Sequence, residues 1–274
     1  MSQDEHYLAT GFHRVDSVSE PEVYQRCLSL LDSLPHFTDY KLRSYDLLAL
    51  SPGDVVLEAG CGLGDDAFRI AQRVAPTGEV VAVDASAWMI DQAAADARAA
   101  QLPVTFQRED LRELSLPDAS FSQCRIDRVL QHVEDPRRAL SELVRVLQPG
   151  GRLLAYDNHW PSFSIGAGDR DTTAIIEAHW ARSFINPDIG SSLEDHFQAL
   201  GMGTITVEQL PYTITDFDIA DQIYNLRATA EQAVQAGLIR GEERDAWLVD
   251  LTHRDRTGCF ATTLTAYMVC GVKD

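Results

Sequence analysis

The stretch Val55-Val56-Leu57-Glu58 running into Gly60-Cys61-Gly62-Leu63-Gly64 constrains this chain more than any other feature. A short apolar run that ends in closely spaced glycines and is followed by a helical pattern, here about Asp66 to Val74, reads as a buried strand turning sharply into a helix. The same rhythm then repeats. Val80 to Asp84 is a second strand, and Ser86 is placed to cap an alanine-rich helix reaching about Ala100. Val104 to Gln107 and Phe121 to Ile126 are strands, Pro136 to Leu147 is a helix, and Gly151 to Tyr156 is a fifth strand. Strands alternating with helices predict a doubly wound, mostly parallel α/β sheet whose ligand lies beyond the carboxyl ends of the strands.

On either side of this core the rhythm is lost. Pro21 to Leu34 and Tyr40 to Leu50 are apolar at helical spacing, and Ser51-Pro52-Gly53 ends the second pattern. Residues 160 to 190 carry Pro161, Gly166, Gly168, Pro187 and Gly190 around a helical stretch, Thr173 to Phe184, and read as a lid beside the site. A helix over Ser191 to Leu200 and a strand over Thr204 to Leu210 follow. Two polar-faced helices are expected at about Phe217 to Ala236 and Gly241 to Arg254, then a β-rich end from Cys259 to Val272. The implied division is a helical cap over 1–50, a ligand-binding core over 51–160, a lid over 161–190, and the rest of the core with substrate-side helices over 191–274.

The chemistry of the glycine turn narrows the ligand. A dinucleotide fingerprint, G-x-G-x-x-G, wants its third glycine at position 65, where this chain has Asp65 followed by Asp66. A pyrophosphate there would face both carboxylates with Glu58 close behind, and each such pair at about 5 Å in a partly dry site costs roughly a few kcal/mol. A cationic ligand fits better; alternatively the two carboxylates only cap the helix. Asp84, twenty residues past Gly64, stands where an acidic side chain can take both hydroxyls of a ribose.

At this point the chain resembles the class I S-adenosylmethionine-dependent methyltransferases. V-L-E-A-G-C-G-L-G, then V-V-A-V-D-A-S with Met89 five residues past the Asp, resembles their first two motifs. Arg108-Glu109-Asp110-Leu111, Val129 to Pro136, and Leu143 to Leu153 with its Pro149-Gly150-Gly151 turn are similar to the following three. The likeness covers residues 50 to 157 and is strongest to the ubiquinone/menaquinone branch. It implies a Rossmann-like, seven-stranded sheet with an antiparallel C-terminal strand, N-terminal helices and a helical lid. It also implies S-adenosyl-L-methionine as cofactor and a small-molecule acceptor methylated on O, N or C, with secondary metabolism as one setting.

Carried over position by position, the resemblance sets Glu58 near the methionine ammonium, with Gly60, Cys61 and Gly62 beneath the methionine and ribose. It sets Asp84 on the ribose, Ala85 and Met89 on the adenine, and Asp110 with the Leu111 amide on the adenine amino group. The backbone near Arg125 would meet the ammonium. Arg125 and Arg128 depart from the family's neutral pattern; either pairs the methionine carboxylate, binds an acidic substrate, or simply sits at the surface. His132 and His159 are the candidate proton acceptors, since imidazole titrates near neutrality. His132 also borders the cofactor. Arg128, Tyr156, His159 and Trp160 are the candidate substrate contacts.

Two other classes stay open: a cyclase or binding protein on the same fold and ligand, and a nicotinamide oxidoreductase. With 42 acidic against 23 basic residues, net −19, the chain would be repelled by phosphate backbones and anionic membranes, so neither is expected as a partner. Five cysteines without C-x-x-C pairing, and no basic-then-apolar leader in MSQDEHYLATGFHRVD, favour a reducing cytoplasm, a monomer or homodimer, and no metal.

Overall fold

The computed structural model describes residues 11–100 and 103–274. Most of the stretch read as lacking a leader, and the first ten residues of the expected cap, therefore lie outside the described residues. Seven strands form one sheet: β1 (Val55–Ala59), β2 (Glu79–Asp84), β3 (Val104–Arg108), β4 (Phe121–Asp127), β5 (Leu147–Ile165), β6 (Met202–Ile214) and β7 (Thr262–Lys273). Their order is β3-β2-β1-β4-β5-β7-β6, and β7 runs antiparallel to both β5 and β6. The remaining pairings are parallel. This is the Rossmann-like sheet with an antiparallel final strand that the sequence implies. The order reverses between β1 and β4, so the crevice for a ligand opens beyond their carboxyl ends.

Among the described residues ten α-helices flank the sheet. The N-terminal pair, α1 (Glu22–Asp32) and α2 (Pro35–Leu48), starts its second member five residues earlier than the periodicity suggests, because Pro35 fits the first helical turn. Then come α3 (Asp65–Val74), α4 (Ala87–Ala100) and α5 (Pro136–Val146). Asp135 caps α5 by accepting from the Arg138 amide at 2.9 Å. The C-terminal half adds α6 (Arg170–Ala181), α7 (Ile189–Ala199), α8 (Phe217–Tyr224), α9 (Leu226–Gln235) and α10 (Gly241–Arg256).

Three expectations need correction. The strand expected to stop at Tyr156 continues to Ile165, so the first five residues assigned to the lid belong to β5. Pro161 is tolerated because β4 pairs only as far as Tyr156 and the register with β7 shifts between His159 and Ser164. Likewise Pro211 sits in β6, an edge strand, which therefore runs four residues past Leu210. The helix expected over 217–236 is two helices, broken at Asn225 in the left-handed region (φ 49°). Nor are these two helices merely polar-faced: Phe217, Ile223, Tyr224, Leu226, Ala230 and Ala233 are buried in them.

The largest apolar cluster joins α1 and α2 to β5, β6 and β7 and to α6, α8, α9 and α10. Its centre is aromatic: Trp160 stacks on Phe184 with centroids 4.0 Å apart and meets Trp180 edge-on at 5.8 Å. Each such pair adds about 0.5–1.5 kcal/mol beyond area burial. The buried Trp247 indole donates to Thr173 Oγ1 at 2.9 Å, tying α10 to α6. Among the described residues no helix is long and apolar enough to cross a membrane.

Candidate active site

The crevice at the reversal of strand order is a cavity of about 390 Å³. One wall is the turn between β1 and α3. Gly60 has φ +70°, and a side chain there would overlap Val129; Gly64 has φ +85°, and a Cβ would lie 2.7 Å from the Phe106 ring. Glycine is thus required at both. The amides of Gly60 and Cys61 donate to the Val83 carbonyl at 2.7 and 2.9 Å, which binds the turn to the end of β2.

Asp84 closes β2 and faces this turn. Its Oδ2 accepts from the Gly62 amide and its Oδ1 from the Ser86 amide, both at 2.9 Å, so the carboxylate is oriented before any ligand arrives. Burial raises its pKa, and the backbone donors only partly offset this. Ala85, the buried Met89, Asp110 and Leu111 continue the wall. Asp110 is half-exposed, and both its oxygens are taken by Arg112, with Nη2 at 2.8 Å.

Asp16 was not anticipated. It lies in the 3-10 segment Gly11–Ser17 and accepts from Ser86 Oγ at 2.5 Å, Ala87 N at 2.8 Å and Trp88 N at 3.2 Å. Ser86 in turn accepts from Met89 N at 3.2 Å, the cap expected of it. Asp16 therefore fastens the segment that carries Phe12 and Val15 over the cavity onto the start of α4. Asp16→Ala should accelerate hydrogen exchange at the Ala87 and Trp88 amides roughly fivefold, matching about 1 kcal/mol for a lost N-terminal cap. Unchanged exchange there would show that the clasp carries no weight.

Under the floor of the cavity lies a charged layer. Arg125 is fully buried; it donates to Glu58 Oε1, to Asp127 Oδ2 at 2.7 Å and to Ser44 Oγ at 3.0 Å, with Asp66 at 3.4 Å. Helix α2 completes the layer: the Tyr40 hydroxyl donates to Asp127 at 3.1 Å, Tyr45 to Asp66 at 2.5 Å, and Lys41 bridges Asp66 and Asp32. Arg125 does not line the cavity with its side chain, so both ligand roles considered for that guanidinium are replaced by an internal one. Glu58 does line it. Its Oε1 is held by Arg125, while its Oε2 is buried without a hydrogen-bond partner. Burial, with the Asp66 and Asp127 carboxylates nearby, pushes Glu58 up to about 8 against the pull of Arg125.

Two other expected contacts are displaced. Asn158 and Trp160 face the cavity, so alternation along β5 turns His159 to the opposite side, where its Nδ1 meets Ser191 Oγ at 3.0 Å. His159 is thus neither catalytic base nor substrate contact. Tyr156 is on the cavity side, but Tyr40 stacks flat on it (centroids 3.8 Å apart, 3° between planes) and seals it off. His132 and Arg128 line the cavity. His132 lies on a short 3-10 turn, Leu130–His132, rather than an α-helix, with its ring 6.0 Å from Phe12 and 5.9 Å from Phe184. The far walls come from elements no motif marked: Cys27, Leu31 and Phe37 from α1 and α2, Tyr212 from β6, and Ile223 and Tyr224 from α8.

The unsatisfied Glu58 oxygen beside an oriented carboxylate at Asp84 fits an ammonium-bearing nucleoside. Comparison with known proteins agrees. A methyltransferase-domain family matches residues 56–151. An uncharacterised 37.1 kDa protein in a transposon of Streptomyces fradiae is 34% identical over 275 residues, covering 98% of this chain and 76% of its own length. The 2-phytyl-1,4-naphtoquinone methyltransferase of Synechococcus elongatus is 38% identical over 115 residues, 41% of this chain and 49% of its own length. The chain belongs to the class I S-adenosylmethionine-dependent methyltransferases.

Within this family the match to the quinone methyltransferase spans only about half of that relative. Among solved structures, the YcgJ protein of Bacillus subtilis superposes with a TM-score of 0.63 at 21% identity, covering 86% of this chain and 98% of that one. The [4+2]-cyclase SpnF superposes at 0.55 and 20% identity, covering 86% and 81%. Both share the methyltransferase fold. The family match covers the motif-bearing half of the cavity, and the walls from α1, α2, β6 and α8 lie outside it.

Proposed function

We propose that this chain transfers a methyl group from S-adenosylmethionine to an O, N or C nucleophile of a small-molecule metabolite. The observation that carries this reading is Glu58 Oε2, a buried oxygen with no hydrogen-bond partner, on a residue that lines the cavity behind the glycine turn. The cofactor, when bound, supplies a methyl group on a cationic sulfur, and the protein's work is then to position the acceptor and exclude water. Glu58 meets the methionine ammonium, Asp84 takes the ribose hydroxyls, and Met89 and Leu111 enclose the adenine with Asp110 at its edge. His132 is placed at the cavity wall to hold a proton from an acceptor that arrives protonated. Phe12, Val15 and Trp160 keep the chamber dry.

The carboxylates at 65, 66 and 84 weigh against a phosphate-bearing dinucleotide in the same crevice. A cytoplasmic monomer or homodimer, with no nucleic-acid partner, accords with the acidic chain. A cyclase on the same fold is the second reading, favoured by the likeness to SpnF; it predicts cofactor binding without turnover. Incubation with methyl-labelled cofactor and a metabolite extract, followed by mass spectrometry, separates the two: a small molecule gains a methyl in the first case and none does in the second. Asp84→Asn keeps the fold of the turn but removes the charge, and should weaken S-adenosylhomocysteine binding by about 1 kcal/mol, roughly fivefold, by calorimetry. Undiminished affinity would take Asp84 out of the site.

A further inference from the structure

Beyond the cofactor half, the cavity changes character. Cys27, Leu31, Phe37, Trp160, Tyr212 and Tyr224 make an apolar, largely aromatic chamber. Two polar groups in it are not consumed by the protein. The first is Arg128, which stands at φ +57°, the left-handed region that a side-chain-bearing residue enters at a cost of order 1–3 kcal/mol. Its amide donates to the Tyr156 carbonyl at 2.8 Å, which locks this conformation and sets the side chain against the Phe37 ring, 5.3 Å from guanidinium carbon to centroid. The guanidinium makes one side-chain hydrogen bond among the described residues, through Nε to Asp127 Oδ1 at 3.3 Å. Asp127 is already satisfied by Arg125 and Tyr40. The Nη groups of this largely buried, permanently charged residue, which lines the chamber, make no side-chain hydrogen bond among the described residues. Burying such a group without an anion is costly, so a ligand that carries one is favoured.

The second is Asn158, 5% exposed, whose Oδ1 is buried without a partner and which lines the same chamber. Strands β4 and β5 run side by side with Asp127 opposite Tyr156, so Arg128 and Asn158 emerge at the same end of neighbouring strands. One offers donors and positive charge, the other an acceptor.

Resting on the methyltransferase reading, we infer that the acceptor is an apolar, ring-sized molecule bearing an anionic oxygen, which Arg128 binds, and a donor group, which Asn158 accepts. Arg128 is then the residue that selects the substrate, since a neutral analogue leaves its Nη donors without an anionic partner. That penalty discriminates more sharply than any apolar wall.

The test uses the full chain saturated with S-adenosylhomocysteine and titrated by calorimetry with 2-naphthoate, 2-naphthol and the neutral 2-naphthamide. We expect 2-naphthoate, or 2-naphthol ionised on binding beside the Arg128 guanidinium, to bind at least tenfold more tightly than the amide; whichever is tighter tells a carboxylate from a phenolate. Arg128→Gln should remove that preference while leaving S-adenosylhomocysteine affinity and Tm unchanged, and Arg128→Lys should restore part of it. Asn158→Leu should weaken 6-hydroxy-2-naphthoate more than 2-naphthoate. Equal binding of the three probes by the native chain, no binding of any, or a preference that survives Arg128→Gln overturns the inference. A native chain that fails to bind S-adenosylhomocysteine at the outset overturns the methyltransferase reading itself, a separate and earlier failure.

Discussion

Replacing Arg125 with methionine should lower the free energy of unfolding by about 3–5 kcal/mol, the cost of stranding buried charge when one partner is removed. The guanidinium is fully buried and is the shared counter-charge of Glu58 and Asp127, with Asp66 beside it. Methionine fills much of the volume, so the loss comes from electrostatics and hydrogen bonds rather than from a cavity. The sign of the pH response follows. Without Arg125, the Glu58 pKa, already raised above that of the unfolded chain by burial, rises further. A raised carboxylate gives stability that is present below the unfolded pKa and is lost as pH rises through the folded one. Up to about pH 8, where Glu58 is protonated in the native chain as well, the variant should lose stability in parallel with the native chain, and above that pH it should fall further behind. Adding Glu58→Leu should recover part of the loss, because removing both members of a buried pair costs less than removing one. Urea unfolding at several pH values measures all of this. A loss below about 1 kcal/mol, flat with pH, would mean that the layer is solvated.

That layer also marks where reading the sequence ran out. The glycine turn, Asp84 with Met89, and the alternation of strands and helices were legible because each depends on residues close together in the chain. Arg125 was visible as a charge in an apolar strand, but its partners Ser44 and Glu58 lie 81 and 67 residues away. A sharper signal was present in α2: Tyr40, Lys41, Ser44 and Tyr45 put polar groups on the buried face of an otherwise ordinary helix. Buried polar groups need partners, and an unexplained arginine was waiting for them. His159 was misplaced for a simpler reason. Taking β5 to end at Tyr156 discarded the two-residue alternation that would have set 158 and 160 together and 159 apart. Asp16 left no trace at all, since its three partners lie 70 or more residues away.

Glu58 supplies a measurement that reports on the cofactor site directly. In the free protein its pKa stands near 8, so at pH 7 the side chain is mostly protonated. An ammonium placed on the unpartnered Oε2 favours the ionised form, and binding S-adenosylhomocysteine, which keeps the amino-acid tail, should release close to one proton at pH 7. Calorimetry in two buffers of different ionisation enthalpy reads that number. Affinity should be weaker at pH 6 and rise by up to about tenfold per pH unit towards pH 8, where the free-protein carboxyl is already ionised. Above about pH 8 no further proton is displaced on binding, so the gain should stop there. Glu58→Gln preserves the shape and one acceptor but not the charge, and Arg125 keeps Asp127 as a partner. The variant should bind about 1.5–3 kcal/mol more weakly, the range for a hydrogen bond to a charged group, and release no proton. Equal proton release from the variant would place the titrating group elsewhere in the cavity. Undiminished affinity would mean that the amino-acid tail does not reach β1, and the ammonium would then have to be sought on another wall.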